Sequence, residues 1–179
     1  MSVLDSQMSG WRETDMLQNN PDRIQKIHKC LDQVKHILKP EYSLLDVGCG
    51  RGFVYEYLKH KNYQGIDLSA GEIEEARNKF PGGRFDVGDL FSIEGKWDVV
   101  LCSRVLIHVA PLDLAMKKLM DASTKYLMLI VRIGPDGVTE YERAGQKFFF
   151  RTMSKQTLGE FGEFSSYHYT SYSLIVYAR

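Results

Sequence analysis

The 179-residue chain has no net charge: 23 Lys and Arg balance 23 Asp and Glu. A balanced chain lacks the positive field that holds duplex DNA or bulk RNA, so no duplex nucleic acid is expected as a partner. Long apolar runs are missing as well. The longest, Tyr126 to Val131, is far too short to span a bilayer, and no membrane partner is expected. Met1 to Met16 contain no apolar stretch flanked by basic residues, so no secretory signal is read there. Cysteine is scarce. Cys30, Cys49 and Cys102 are odd in number and widely spaced, which fits neither a disulfide framework nor a zinc site. No metal is expected, and the cytoplasm is the default compartment. Repeats and low-complexity segments are absent too.

What remains is an ordinary globular composition, 44% hydrophobic and 26% charged. Residues 1–179 read as a single domain, with 1–40 a leader and helix and 41–179 the core. Asn20-Pro21 is a helix start, and Ile24, Ile27, Leu31, Val34 and Leu38 recur at three- and four-residue steps up to Pro40. Strands and helices then alternate. Tyr63 to Ile66 reads as a strand, and Ser69 with Glu72 as a capping box opening a helix. Arg84 to Val87 and Trp97 to Cys102 read as strands, Leu112 to Ala122 as a helix, and Tyr126 to Ile133 as a strand. Gly134 to Gly137 is a turn, and Ser154 to Glu160 a short helix. Gly162 to Tyr169 and Tyr172 to Ala178 form a terminal hairpin. Alternation of this kind predicts an α/β fold: a Rossmann-like, doubly wound, mostly parallel sheet with a C-terminal antiparallel hairpin.

The run Leu44-Leu45-Asp46-Val47-Gly48-Cys49-Gly50-Arg51-Gly52 carries the most chemistry. An apolar strand ending in an acid meets three glycines at alternate positions, and Phe53, Val54, Tyr57 and Leu58 start a helical pattern. Glycines there let the backbone approach a ligand closely. The dinucleotide fingerprint needs glycine at 53, where this chain has Phe53. The carboxylate of Asp46 repels a pyrophosphate and attracts an ammonium or sulfonium group.

This stretch resembles motif I of the class I S-adenosylmethionine-dependent methyltransferases, of the kind acting on small molecules. The likeness runs well from Leu44 to Val131. It implies S-adenosylmethionine as cofactor, with S-adenosylhomocysteine as product. Asp46, Gly48, Cys49, Gly50 and Gly52 would line the donor. Asp67, about 20 positions beyond the loop, would accept from the ribose hydroxyls, and Leu68 would pack on adenine. Asp89 would accept from the adenine amino group beside the backbone of Leu90, with Asp86 a competitor. Ser103 and Arg104 would meet the methionine portion through their carbonyls. Asp98 starts its strand at the far end and reads as structural.

The acceptor side is less sharply drawn. His108 in Val105-Leu106-Ile107-His108-Val109 is a candidate base, or a packed histidine bonded to backbone. Arg132, Tyr141, Arg143, Phe148, Phe149, Phe150 and Arg151 form a basic, aromatic stretch suited to a small carboxylate or phosphate, or, as the blander reading for most of them, core phenylalanines and solvated arginines. Trp11 and Arg12 in the leader could close over the donor, or Trp11 could pack on the sheet edge. Three functions stay open: methyl transfer to an O, N or C nucleophile of a small molecule, a non-catalytic donor-binding subunit, and an NAD-dependent oxidoreductase disfavoured by Asp46 and Phe53.

Overall fold

A computed structural model describes residues 21–143 and 146–179, with side chains for all of these except Arg143, Gln146 and Lys147. The readings placed on Trp11, Arg12, Asn20 and the Arg143 side chain lie outside the described residues.

Five strands run parallel. They are β1 (Leu44–Val47), β2 (Tyr63–Asp67), β3 (Arg84–Val87), β4 (Trp97–Ser103) and β5 (Ser123–Val131). The separate strands β6 (Gly137–Arg143) and β7 (Gln146–Thr152) pair antiparallel as a ribbon of their own. Then β8 (Ser165–Tyr169) and β9 (Tyr172–Ala178) pair with each other, and β9 joins β5 antiparallel. The main sheet runs β3-β2-β1-β4-β5-β9-β8. Strand order reverses between β1 and β4, and a crevice opens beyond the carboxyl ends of strands at such a switch.

All four residues of β1 are buried, as expected when both faces of a parallel sheet are covered. One face carries Leu44, Tyr63, Phe85, Val99, Leu101, Met128 and Leu174. It packs under α1 (Pro21–Asp32), α2 (Phe53–Leu58) and α3 (Ala70–Lys79). The other carries Leu45, Val47, Val100, Cys102, Leu127, Leu129 and Ile175 under α4 (Leu112–Ala122) and α5 (Lys155–Gly159). The α/β, mostly parallel architecture with its terminal hairpin is therefore as the sequence predicts.

Three local differences have physical causes. The helix read up to Leu38 ends at Asp32. The chain tightens there, with Gln33 and Val34 donating to the carbonyls three residues back, and Val34 drops into the core. Strand β5 starts at Ser123, because Ser123 pairs with Trp97 although Ser-Thr-Lys carries no apolar signal. It ends at Val131, and Ile133 makes only an isolated bridge to Met153. The basic, aromatic stretch is a strand ribbon, β6–β7, whose β7 lies against the 3-10 turn Leu106–His108.

Candidate functional site

The glycine loop is built by φ. Gly48, Gly50 and Gly52 have φ of 77°, 51° and 79°, a left-handed path that side chains resist. The path is tied to β2: the amides of Gly48 and Cys49 both donate to the Ile66 carbonyl, at 2.8 and 3.0 Å. Val105, just beyond β4, closes one side. Its Cγ2 lies 2.0 Å from where a Cβ on Gly48 would sit. Cys49 is buried, and burial pushes its thiol well up, so it is a packing group rather than a nucleophile.

Asp46 is fully buried. Tyr63 reaches it diagonally from β2 and donates at 2.7 Å to Oδ2, because Gly65, directly opposite Asp46, has no side chain. Oδ1 has no hydrogen-bond partner among the described residues. Burial pushes the acid up to about 7, against the Tyr63 hydroxyl and helped by the charge of Asp67. Such an acid keeps its proton in the fold at a pH where the unfolded chain has lost it. Its contribution to stability is therefore full below about pH 4 and is lost as pH rises to about 7. Asp46→Asn keeps an acceptor for Tyr63 and has nothing to ionise. Its melting temperature should gain on wild type as pH rises through that window. Parallel melting curves across the whole range would contradict the raised acid.

Asp67 ends β2 and holds the loop. Its Oδ2 accepts from the Gly50 amide and its Oδ1 from the Ser69 amide, each at 2.9 Å. Burial raises its pKa, while the amides of Ser69, Gly50 and Leu68 pull it down. Ser69 caps α3 as predicted, accepting from the Glu72 amide. Leu68 is half-buried at the same strand end. Asp89 is half-buried beyond β3, and one carboxylate oxygen caps the short turn that follows, accepting from the Phe91 amide at 3.0 Å. Leu90 is buried against the α4 side of the core. The competitor Asp86 is exposed and paired with Arg77 and Gln64 on the strand itself. At the opposite end of the sheet, Asp98 accepts from the amide and hydroxyl of Ser43, a structural position as read.

Beyond β4, the Ser103 hydroxyl is buried with no partner among the described residues. Arg104 follows at φ 63°, buried, with its guanidinium 5.2 Å from the centre of the Tyr172 ring. His108 Nδ1 is 2.7 Å from the Phe149 carbonyl. A carbonyl can only accept, so Nδ1 carries the proton and Nε2 is the accepting nitrogen. Burial, with Arg104, Arg132 and Arg23 nearby and against the Phe149 carbonyl, lowers His108 to about 4. The fold thus favours neutral His108. Its stabilising effect, about 3 kcal/mol, is full above about pH 6.5 and lost as pH falls to about 4. His108→Asn, whose amide can still donate to Phe149, should remove that acid-side slope in a pH series of urea unfolding. A slope equal to wild type would place it elsewhere.

The arginines divide. Arg151 donates to the Val109 carbonyl at 2.8 Å and so pins the His108 turn to β7. Arg132 lies over the rings of Phe150 and Tyr172, at 5.5 and 5.9 Å. Tyr141 stacks on Phe148, 5.6 Å centre to centre. Sequence reasoning missed Tyr63, Val105 and Tyr172. The first two were legible in part, as the neighbours of a buried acid and of a glycine. Tyr172 comes from β9 and had no signal.

Residues 45–123 match a family model described as a methyltransferase domain. Over 82 residues the chain is 38% identical to the ubiquinone biosynthesis O-methyltransferase, mitochondrial, of Saccharomyces cerevisiae. That alignment covers 40% of this chain and 26% of the yeast protein, so the likeness spans about a quarter of the relative's length. The solved DhpI–SAH complex superposes with a TM-score of 0.78 at 18% identity, covering 97% of this chain and 95% of that one. The magnesium protoporphyrin IX methyltransferase ChlM from Synechocystis PCC 6803, with bound SAM, gives 0.70 at 18% identity, covering 99% and 91%. No helix among the described residues is long and apolar enough to cross a membrane. With the acid-and-glycine loop at the switch point, residues 45–123 are similar to a methyltransferase domain, and the fold as a whole is that of solved structures such as the magnesium protoporphyrin IX methyltransferase.

Proposed function

We propose that the chain binds S-adenosylmethionine at the carboxyl ends of β1, β2 and β4 and transfers its methyl group to an O, N or C nucleophile of a small molecule. The observation that carries this is the loop itself: three left-handed glycines held against β2, with Asp67 fixing the Gly50 amide. The donor set suits the group. A buried carboxylate oxygen of Asp46 and the Ser103 hydroxyl have no partner among the described residues, and the loop gives close backbone approach. In this reading Gly48, Cys49, Gly50 and Gly52 contact the donor, Asp67 and Leu68 its ribose and adenine, Asp89 and Leu90 the adenine edge, and Ser103 and Arg104 the amino-acid end.

When bound, S-adenosylmethionine supplies an electrophilic methyl group on sulfonium. The residues of the chain align the acceptor and exclude water. His108, held neutral by burial that lowers its pKa to about 4, is a weak base, so its part is to position the turn beside the acceptor. Arg132, Tyr141 and Arg151 belong to the acceptor side in this reading; Trp11 and the Arg143 side chain, also read there from sequence, lie outside the described residues. Three buried, unpaired cysteines suit a reducing compartment, and we place the reaction in the cytoplasm.

Calorimetry with S-adenosylhomocysteine and NAD, followed by a labelled-methyl screen over acceptor classes, tests the proposal. S-adenosylhomocysteine should bind and raise the melting temperature. Binding of NAD instead would overturn it. Donor binding with no methyl transfer across the screen would favour a non-catalytic subunit.

A further inference from the structure

Arg104 is unusual in two independent ways. It is a non-glycine residue in the left-handed region, a costly conformation for a long side chain. The residue is only 9% exposed, yet Nε meets no hydrogen-bond partner among the described residues. A buried cation without an anion opposes folding. Arg132, from the end of β5, compounds this. Its guanidinium lies over the same Tyr172 ring, so two cations stand within 6 Å of one ring centre. No carboxylate pairs with either among the described residues. Arg104 is itself pushed down by burial and by the charges of Arg23 and Arg132.

We propose that Arg104 and Arg132 form an oxyanion pocket that holds the acidic group, carboxylate or phosphate, of the methyl acceptor. The pocket rests on the methyl-transfer reading above and gives it a substrate class. Paired guanidinium forks offer the planar, bidentate donors that such groups need. The Tyr172 and Phe150 faces take the cations until the anion arrives and wall the rest of the acceptor. The position fits. Val105, the residue after Arg104, presses on Gly48 of the donor loop, so an acid anchored at Arg104 sets its molecule beside that loop. Arg104 thus acts through its side chain in specificity, in addition to the carbonyl role that motif likeness implies.

The test is calorimetry of the full chain saturated with S-adenosylhomocysteine, using benzoate, phenyl phosphate and neutral benzamide. Wild type should prefer at least one anion over benzamide by about tenfold or more, and the stronger of the two tells carboxylate from phosphate. Arg132→Gln should lose that preference while still binding S-adenosylhomocysteine, and Arg104→Asn, which tolerates a left-handed backbone, should lose the preference as well. Arg104→Asn should also melt higher without ligand, since a buried unpaired charge is gone; a merely structural arginine would give a lower melting temperature. Equal binding of all three probes to wild type, or preference kept in both variants, would overturn the pocket. Anion preference in a wild type that fails to bind S-adenosylhomocysteine would instead sink the donor reading and leave the pocket standing.

Discussion

Replacing Gly48 with Ala should destabilise the native chain by about 2–5 kcal/mol and remove measurable S-adenosylhomocysteine binding. Two costs add. A φ of 77° puts an L side chain in the left-handed region, about 1–2 kcal/mol. The new Cβ would also stand 2.0 Å from Val105 Cγ2, so the loop or the Val105 turn must move, a further overpacking cost of about 1–3 kcal/mol. Movement there shifts the amides that Ile66 holds, and with them the face proposed to meet the donor. The two costs can be separated. In Val105→Ala the clash is gone, so adding Gly48→Ala to it should cost only the backbone part. Gly82→Ala is the control, since nothing lies within 4 Å of its Cβ and its φ is not left-handed. Urea unfolding of the four variants with titration of S-adenosylhomocysteine checks this. A Gly48→Ala chain as stable as Gly82→Ala would mean that Gly48 does not hold this conformation.

That loop was legible because its constraint is local. Alternate glycines after Leu44-Leu45-Asp46-Val47 can be read as a turn without knowing what surrounds it. The same holds for the Ser69 cap and for α4, found at Leu112–Ala122 as read from its apolar spacing. What sequence did not disclose depends on chain segments far apart. The β6–β7 ribbon alternates only weakly around Phe148-Phe149-Phe150, a run that reads equally as core. Its partner is the 3-10 turn at His108, some forty positions away. The fate of Arg104 depends on Tyr172, delivered by a strand that joins β5 antiparallel. Charge and ring were visible in the sequence, but their meeting was not. Asp46 shows the intermediate case. Its position at the strand end was clear, while its raised pKa comes from complete burial, against the hydrogen bond that Tyr63 of β2 donates to it.

Asp67→Ala should weaken S-adenosylhomocysteine binding by about 1.5–3 kcal/mol, roughly 10–150-fold, with the fold retained at reduced stability. The carboxylate accepts one amide on each oxygen, from Gly50 and from Ser69. An ionised carboxylate offers about four acceptor positions, so two remain for a pair of ribose hydroxyls. Loss of affinity alone cannot separate a ribose contact from loop support, because the variant also leaves the Gly50 and Ser69 amides without their acceptor. A 2′-deoxy analogue of S-adenosylhomocysteine separates them. If Asp67 accepts from that hydroxyl, wild type should favour the natural ligand by about tenfold, and Asp67→Ala should bind the two alike. If Asp67 only holds the loop, both ligands weaken together and the preference survives the substitution. Calorimetry on the two proteins with the two ligands closes the cycle. A preserved preference would assign Asp67 to the loop and move ribose recognition to another group at the carboxyl end of β2.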